Sequence, residues 1–210
     1  MLELSRWALA PAFVVLASPI TWLEVAAFLL SIWMVVCNMR VHPLGWPLAI
    51  AASALYGVLF AHSKLYGEAA LQLVFIAVSA WGWRQWLLVP GLGHAYRGVS
   101  PIGRRVGWWA LLATLGAWPA LALLLTHISD SDVPWLDAAP TAASVAGQWM
   151  LARKYLENWL VWLAVNIFSV ALFAFKGLWL TALLYAIFAV LSVFGWNAWR
   201  RLNAARPVSR

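Results

Sequence analysis

Charge is what this 210-residue chain has least of: Asp, Glu, Lys and Arg make up 10% of it, against 65% hydrophobic residues, with a mean hydropathy of +0.83. So small a charged fraction cannot keep a soluble domain hydrated, and the class it leaves is an integral membrane protein. Cysteine occurs once, as Cys37, which excludes an intramolecular disulfide and a thiolate metal site. The four histidines, His42, His62, His94 and His127, are scattered and never stand at ligand spacing, so no metal or other cofactor is expected. Acids are missing from the middle of the apolar stretches. Glu24, Glu68 and Glu157 lie at or near their ends, so no midspan carboxylate offers a proton relay. A phosphate-cradling "GxxxxGK[ST]" loop is absent, which excludes ATP-driven transport by this chain alone. Net charge is +7, yet no basic run is interleaved with stacking aromatics, so nucleic acid is not an expected partner.

What the chain does have is apolar runs of the length that crosses a hydrocarbon core of about 30 Å as a helix. They lie near 21–39, 44–62, 66–88, 107–126, 135–152, 157–175 and 178–199. Residues 1–20, interrupted by Pro11 and Pro19, read as an interfacial segment; a signal peptide ending at Ala17 is the alternative. An offset of 113 residues aligns 21–86 with 134–199 without a gap, with about a quarter of the positions identical. Trp46 then falls on Trp159, Arg40 on Arg153, Ser79 on Ser192, and "GWRQW" at 82–86 on "GWNAW" at 195–199. Tryptophan-anchored matches in one register over three spans point to an internal repeat. The expected fold is therefore an all-α polytopic membrane protein of seven transmembrane helices in a parallel 3+1+3 repeat. Its parts are a first three-helix repeat at 21–88, linker helix and loops at 89–133, a second repeat at 134–200 and a basic tail at 201–210. Transporters built from repeats hold substrate near the midplane, at the repeat interface.

Arg40, Arg84, Arg97, Arg104, Arg105, Arg153, Lys154, Arg200, Arg201, Arg206 and Arg210 fall on one side of such a bundle, and only Arg6, Lys64 and Lys176 on the other. Positive-inside places the C-terminus in the cytoplasm and the N-terminus outside. The acidic loop "THISDSDVPWLD" then falls outside, as that arrangement requires.

Intramembrane polar side chains should face the bundle interior, because hydrocarbon offers them no partner. Helical spacing puts Trp159, Trp162 and Asn166 on one stripe of the sixth span, and Thr141, Ser144 and Gln148 on one stripe of the fifth. The third span carries Gln72 and Ser79, the seventh Tyr185 and Ser192, the second Ser53, Tyr56 and Phe60. The serines also suit plain helix packing, and most of the 17 tryptophans suit an interfacial belt. Gln72, Gln148 and Asn166 are the sharper candidates, since an amide in a span needs either an interhelical hydrogen bond or a ligand. Indole faces beside amides suit a flat, neutral or cationic ring that carries a carboxamide or sugar hydroxyls.

"LYGEAALQLVFIAVSAWGWRQW" at 65–86 resembles the third-helix signature of the PnuC nicotinamide riboside transporters, and "QWMLARKYLENWLVWLAVN" at 148–166 resembles their fifth-to-sixth helix signature. The resemblance runs from about 21 to 200. It implies a multi-pass bacterial inner-membrane importer with a fold related to the SWEET sugar transporters, working by facilitated diffusion for NAD biosynthesis, with a separate cytoplasmic kinase trapping the substrate. Its aromatic and amide site would fall on Trp159, Trp162, Asn166, Gln72 and Gln148, to which Tyr56, Tyr185 and Asn197 are added. Close relatives carry thiamine or riboflavin, and tryptophan stacking cannot separate these vitamins. A SWEET-type sugar carrier would show Pro-Gln pairs, and none occurs. An intramembrane enzyme is the remote alternative; it would need midspan Ser with His, paired Asp or a metal cluster, and the histidines lie at or outside span ends, so the chain is not expected to be an enzyme. A homo-oligomer is left open by the sequence.

Overall fold

The computed structural model describes residues 11–15, 18–62, 66–88, 98–128, 134–175 and 179–205. Arg6, Lys64, His94, Arg97, Lys176, Arg206 and Arg210 lie outside the described residues, as do 129–133 of the acidic loop and the side chain of Glu68. Among the described residues seven helices form: α1 (Trp22–Met39), α2 (Gly45–His62), α3 (Tyr66–Leu88), α4 (Arg104–Ile128), α5 (Pro134–Ala152), α6 (Asn158–Phe175) and α7 (Trp179–Ala204). Each starts and stops within a few residues of the expected span, apart from α7, which runs on through Ala204 into the basic tail. Five of them, α1, α2, α4, α6 and α7, are long and apolar enough to cross a membrane by length and composition. α3 and α5 are long enough, but their hydropathy is diluted by Gln72, Arg84 and Gln85 in one and by Asp137, Thr141 and Gln148 in the other.

Ahead of α1 stands a two-stranded antiparallel hairpin, β1 (Pro11–Val15) and β2 (Ser18–Thr21). Thr21 ends β2 and caps α1: its Oγ1 accepts from the Glu24 N–H at 3.2 Å, while the Glu24 carboxylate accepts from the Thr21 N–H at 2.7 Å. This reciprocal capping box explains an acid at a span end, since it satisfies orphan amides and faces the positive end of the helix dipole.

Several positions 113 residues apart share local geometry. α1 ends in a Schellman turn, with the His42 N–H donating to Cys37 O at 2.9 Å and Val41 at φ 52; α5 ends likewise, with Tyr155 N–H donating to Met150 O at 3.0 Å and Lys154 at φ 58. Neither left-handed residue is glycine, so surrounding packing must hold both against their preference. Beyond the turns, Trp46 meets Trp86 edge-on at 5.4 Å and 86°, and Trp159 meets Trp199 at 5.6 Å and 87°. In each pair the first indole covers a glycine of the next helix, Gly82 or Gly195, at a place where a Cβ would overlap the ring.

α2 packs most broadly on α3, and α6 on α7; across the halves α3 meets α5 and α1 meets α7. Those two cross-contacts are pinned by indole N–H donors, Trp86 to Ala152 O at 3.0 Å and Trp199 to Asn38 O at 3.1 Å. The four indoles, with Val41, Val99, Leu151, Ala152 and Leu156, form the buried core. It lies at the Arg40 and Lys154 end of the bundle. α4 leans chiefly on α5, where the Trp118 N–H donates to Trp135 O at 2.8 Å. The chain ahead of α4 is strapped to the α5–α6 turn: Ser100 N–H donates to Lys154 O, Leu156 N–H to Ser100 O, and Ile102 N–H to the Glu157 carboxylate at 2.8 Å.

Candidate functional site

One layer above the tryptophan core, two amides meet two serines. Gln148 on α5 donates from Nε2 to the Ser79 hydroxyl on α3 at 3.1 Å, and Asn166 on α6 donates from Nδ2 to Ser192 on α7 at 3.2 Å. All four residues are buried. Ser192 donates its own O–H to Phe188 O at 2.8 Å, so its oxygen is presented to Asn166 as an acceptor. Asn166 stands eight residues into α6, about 12 Å along the axis, deep enough to be near the middle of a bilayer. The two serines occupy repeat-related positions, but their amide partners do not: Asn166 comes from the same half as Ser192, whereas Gln148 crosses from the other half to Ser79. The layer is therefore chemically asymmetric although its two serines stand 113 residues apart at corresponding positions.

Trp162 is half-buried, and its indole lies over Gly147 of α5, one position from Gln148; a Cβ at Gly147 would stand 3.4 Å from the indole nitrogen. Further from the core end, Tyr56 stacks on Phe60 at 6.0 Å, and Tyr185 stacks on Phe173 at 5.2 Å and meets Phe188 edge-on at 6.2 Å. Tyr56 lies within electrostatic range of Tyr185 and Glu24. Gln72, on α3, rests its stem on Gly57 of α2 at a place where a Cβ would make ordinary contact at 3.5 Å.

Of the expected site residues, Gln148, Asn166 and Trp162 share the amide layer, while Tyr56, Gln72 and Tyr185 occupy the layer beyond it. Trp159 is not brought to either: it is 3% exposed, within the tryptophan core. The three-residue stripe shared a helix face, but seven residues of rise, about 10 Å, put its ends at different depths. Asn197 is exposed on α7, towards the core end. The sequence left the serines between polar stripe and plain packing, and Ser79 and Ser192, seven residues from Gln72 and Tyr185, are the amides' partners. Asn158, fully buried and donating to Tyr155 O, went unnoticed because it opens α6 at the very end of its span. A groove of roughly 450 Å³ opens between α4, α5 and α6, but its lining is apolar and includes none of these eight residues. No group of three His, Cys, Asp or Glu able to hold a metal occurs among the described residues.

Apolar helices around a buried tryptophan core, with a neutral amide and aromatic interior above it, define a polytopic membrane protein with an internal polar layer. A family model described as the nicotinamide mononucleotide transporter matches residues 21–201, and the chain belongs to that family. It is similar to the nicotinamide riboside transporter PnuC of Escherichia coli (strain K12), 26% identical over 176 residues, which are 72% of this chain and 73% of the relative. It is also similar to the riboflavin/roseoflavin transporter RibM of Streptomyces davaonensis, 26% identical over 212 residues and 97% of each chain. A crystal structure of the vitamin B3 transporter PnuC shares the fold, with a TM-score of 0.73 and 24% identity over 89% of this chain and 83% of that one.

Proposed function

We propose that this chain imports nicotinamide riboside across a bacterial inner membrane by facilitated diffusion, and that a separate cytoplasmic kinase traps the product for NAD biosynthesis. The observation that carries the reading is the neutral amide layer, Gln148 with Ser79 and Asn166 with Ser192, flanked by Trp162, Tyr56 and Tyr185. Amides and hydroxyls match a carboxamide and ribose hydroxyls, and aromatic faces attract a cationic ring. The family model's description mentions the mononucleotide, but a phosphate would need basic partners. Among the described residues the amide layer and the aromatic layer beyond it contain none, which favours the riboside. The site would comprise Trp162, Asn166, Gln148, Gln72, Tyr56 and Tyr185. Trp159 would support it from below, and the exposed Asn197 would act, if at all, where the ligand leaves. The domain reading, two three-helix repeats at 21–88 and 134–200 about a linker helix, is part of the proposal, as are a cytoplasmic C-terminus and an external N-terminus.

Riboflavin is the second reading, favoured by the RibM relative that aligns over 97% of both chains. Calorimetric titration of detergent-purified protein with nicotinamide riboside, riboflavin and thiamine separates the readings. Saturable binding of nicotinamide riboside alone supports the first, riboflavin alone the second, and no binding by folded protein rejects both.

A further inference from the structure

The groove between α4, α5 and α6 is lined by Gly107, Ala110, Leu111 and Thr114 on one side and by Ala143, Ala146, Val161 and Phe168 among those opposite. Its α4 lining follows one helical stripe, 107, 110, 111 and 114. The same stripe continued backward reaches position 104, so Arg104 sits at the mouth of the groove, with Arg105 beside it. Both arginines are exposed, and no carboxylate is paired with either among the described residues. Glu157, the nearest acid along the strap, is engaged by the Ile102 N–H.

Depth fixes the occupant. On α4 the lining spans 107–114 and on α6 161–168, about 10 Å of rise each; on α5 it spans 139–150, about 16 Å. That is close to the ~15 Å of one leaflet, half of a 30 Å hydrocarbon core. Past the far end, Trp118 and Trp135 join α4 to α5 at 6.3 Å between rings, in addition to their hydrogen bond. The groove is thus apolar for the depth of one leaflet, bounded beyond that depth, and positively charged where that leaflet's headgroups lie.

We infer that this groove holds one acyl chain of an anionic phospholipid whose phosphate is bound by Arg104 and Arg105. A zwitterionic lipid of the same chain fits the groove and offers the same phosphate, but its choline cation offsets much of the attraction to the arginines. A substrate-like polar molecule would find only the Thr114 hydroxyl, which already donates to Ala110 O at 2.8 Å. The lipid would wedge α4 against the second half of the bundle, where α4 otherwise has little burial.

The test is native mass spectrometry of the purified full chain, with palmitoyl-oleoyl phosphatidylglycerol and the matching phosphatidylcholine added in turn. One phosphatidylglycerol per chain should be retained in preference to phosphatidylcholine. Each basic side chain near an anionic headgroup is worth about a fivefold factor, so R104Q/R105Q should weaken phosphatidylglycerol retention roughly twenty-five-fold and abolish the preference. Ala146→Phe should displace both lipids, and Thr114→Leu serves if that variant does not fold. Equal retention of the two lipids by the unaltered chain, or an undiminished preference in R104Q/R105Q, overturns the proposal. So does a groove-filling variant that changes the oligomer mass but not lipid retention, because the occupant would then be a second copy. Glycerol 1-phosphate giving the same protection from heat as the whole lipid would remove the groove from the account.

Discussion

Gln148 and Asn166 are amides placed where lipid gives no alternative partner, and each is held by a serine; under the proposed function a ligand would exchange with that serine. Asn166→Ala and Trp162→Ala should each weaken ligand binding by about 1–3 kcal/mol, the range for losing a buried polar partner or an aromatic face. Calorimetric titration checks this on protein that elutes as a single folded species; normal affinity in both variants would remove the proposed site while leaving the family unaffected. At the opposite end, Lys154 is buried in the α5–α6 turn with its ammonium 4.7 Å above the Trp86 ring, and burial pushes its pKa down from 10.5 to about 8. Because the folded pKa lies below the unfolded one, the unfolded chain holds more protons between pH 8 and 10.5, and stability gains with pH through that window. Below pH 8 this contribution is flat. The difference in apparent melting temperature between wild type and Lys154→Met, followed from pH 7 to 10.5, should therefore change only above about pH 8. A constant difference would mean that the ammonium is already fully compensated by the indole.

Between helices, the decisive contact is an indole over a glycine, used twice. A side chain at Gly82 or Gly195 must displace Trp46 or Trp159, whose neighbours Trp86 and Trp199 also carry the cross-half hydrogen bonds. Gly82→Ala should lower stability by about 1–3 kcal/mol through overpacking. Adding Trp46→Leu should return part of that loss, since the pair is in direct contact and its effects are not additive. A thermal-shift cycle of the four proteins measures it, and strict additivity would count against the contact. The helices themselves were legible because hydrophobic runs and the 113-residue register are local or self-similar signals. The β1–β2 hairpin was not legible: Pro11 and Pro19 marked an interruption, but strand pairing in so short a segment depends on what it rests against.

Across the whole molecule, the charge asymmetry and the absence of a midspan acid lead to two joined expectations. Reporter fusions should place the C-terminus in the cytoplasm. Reconstituted vesicles should take up labelled nicotinamide riboside only to equal concentrations, unaffected by a protonophore, with accumulation appearing when an ATP-supplied kinase is sealed inside. Concentrative uptake that collapses with the proton gradient would refute facilitated diffusion.

By itself the sequence determined the membrane class, the limits of seven helices, the repeat register and the identity of the intramembrane amides. Each of these follows from hydropathy, length or periodicity along one dimension. Only the tertiary structure decided depth and partnership. It sent Trp159 into the inner core and not beside Asn166, joined Ser79 to Gln148 across 69 residues, and left Asn197 exposed. Helical spacing states which face a residue occupies, whereas what that face meets is set by how the two halves dock.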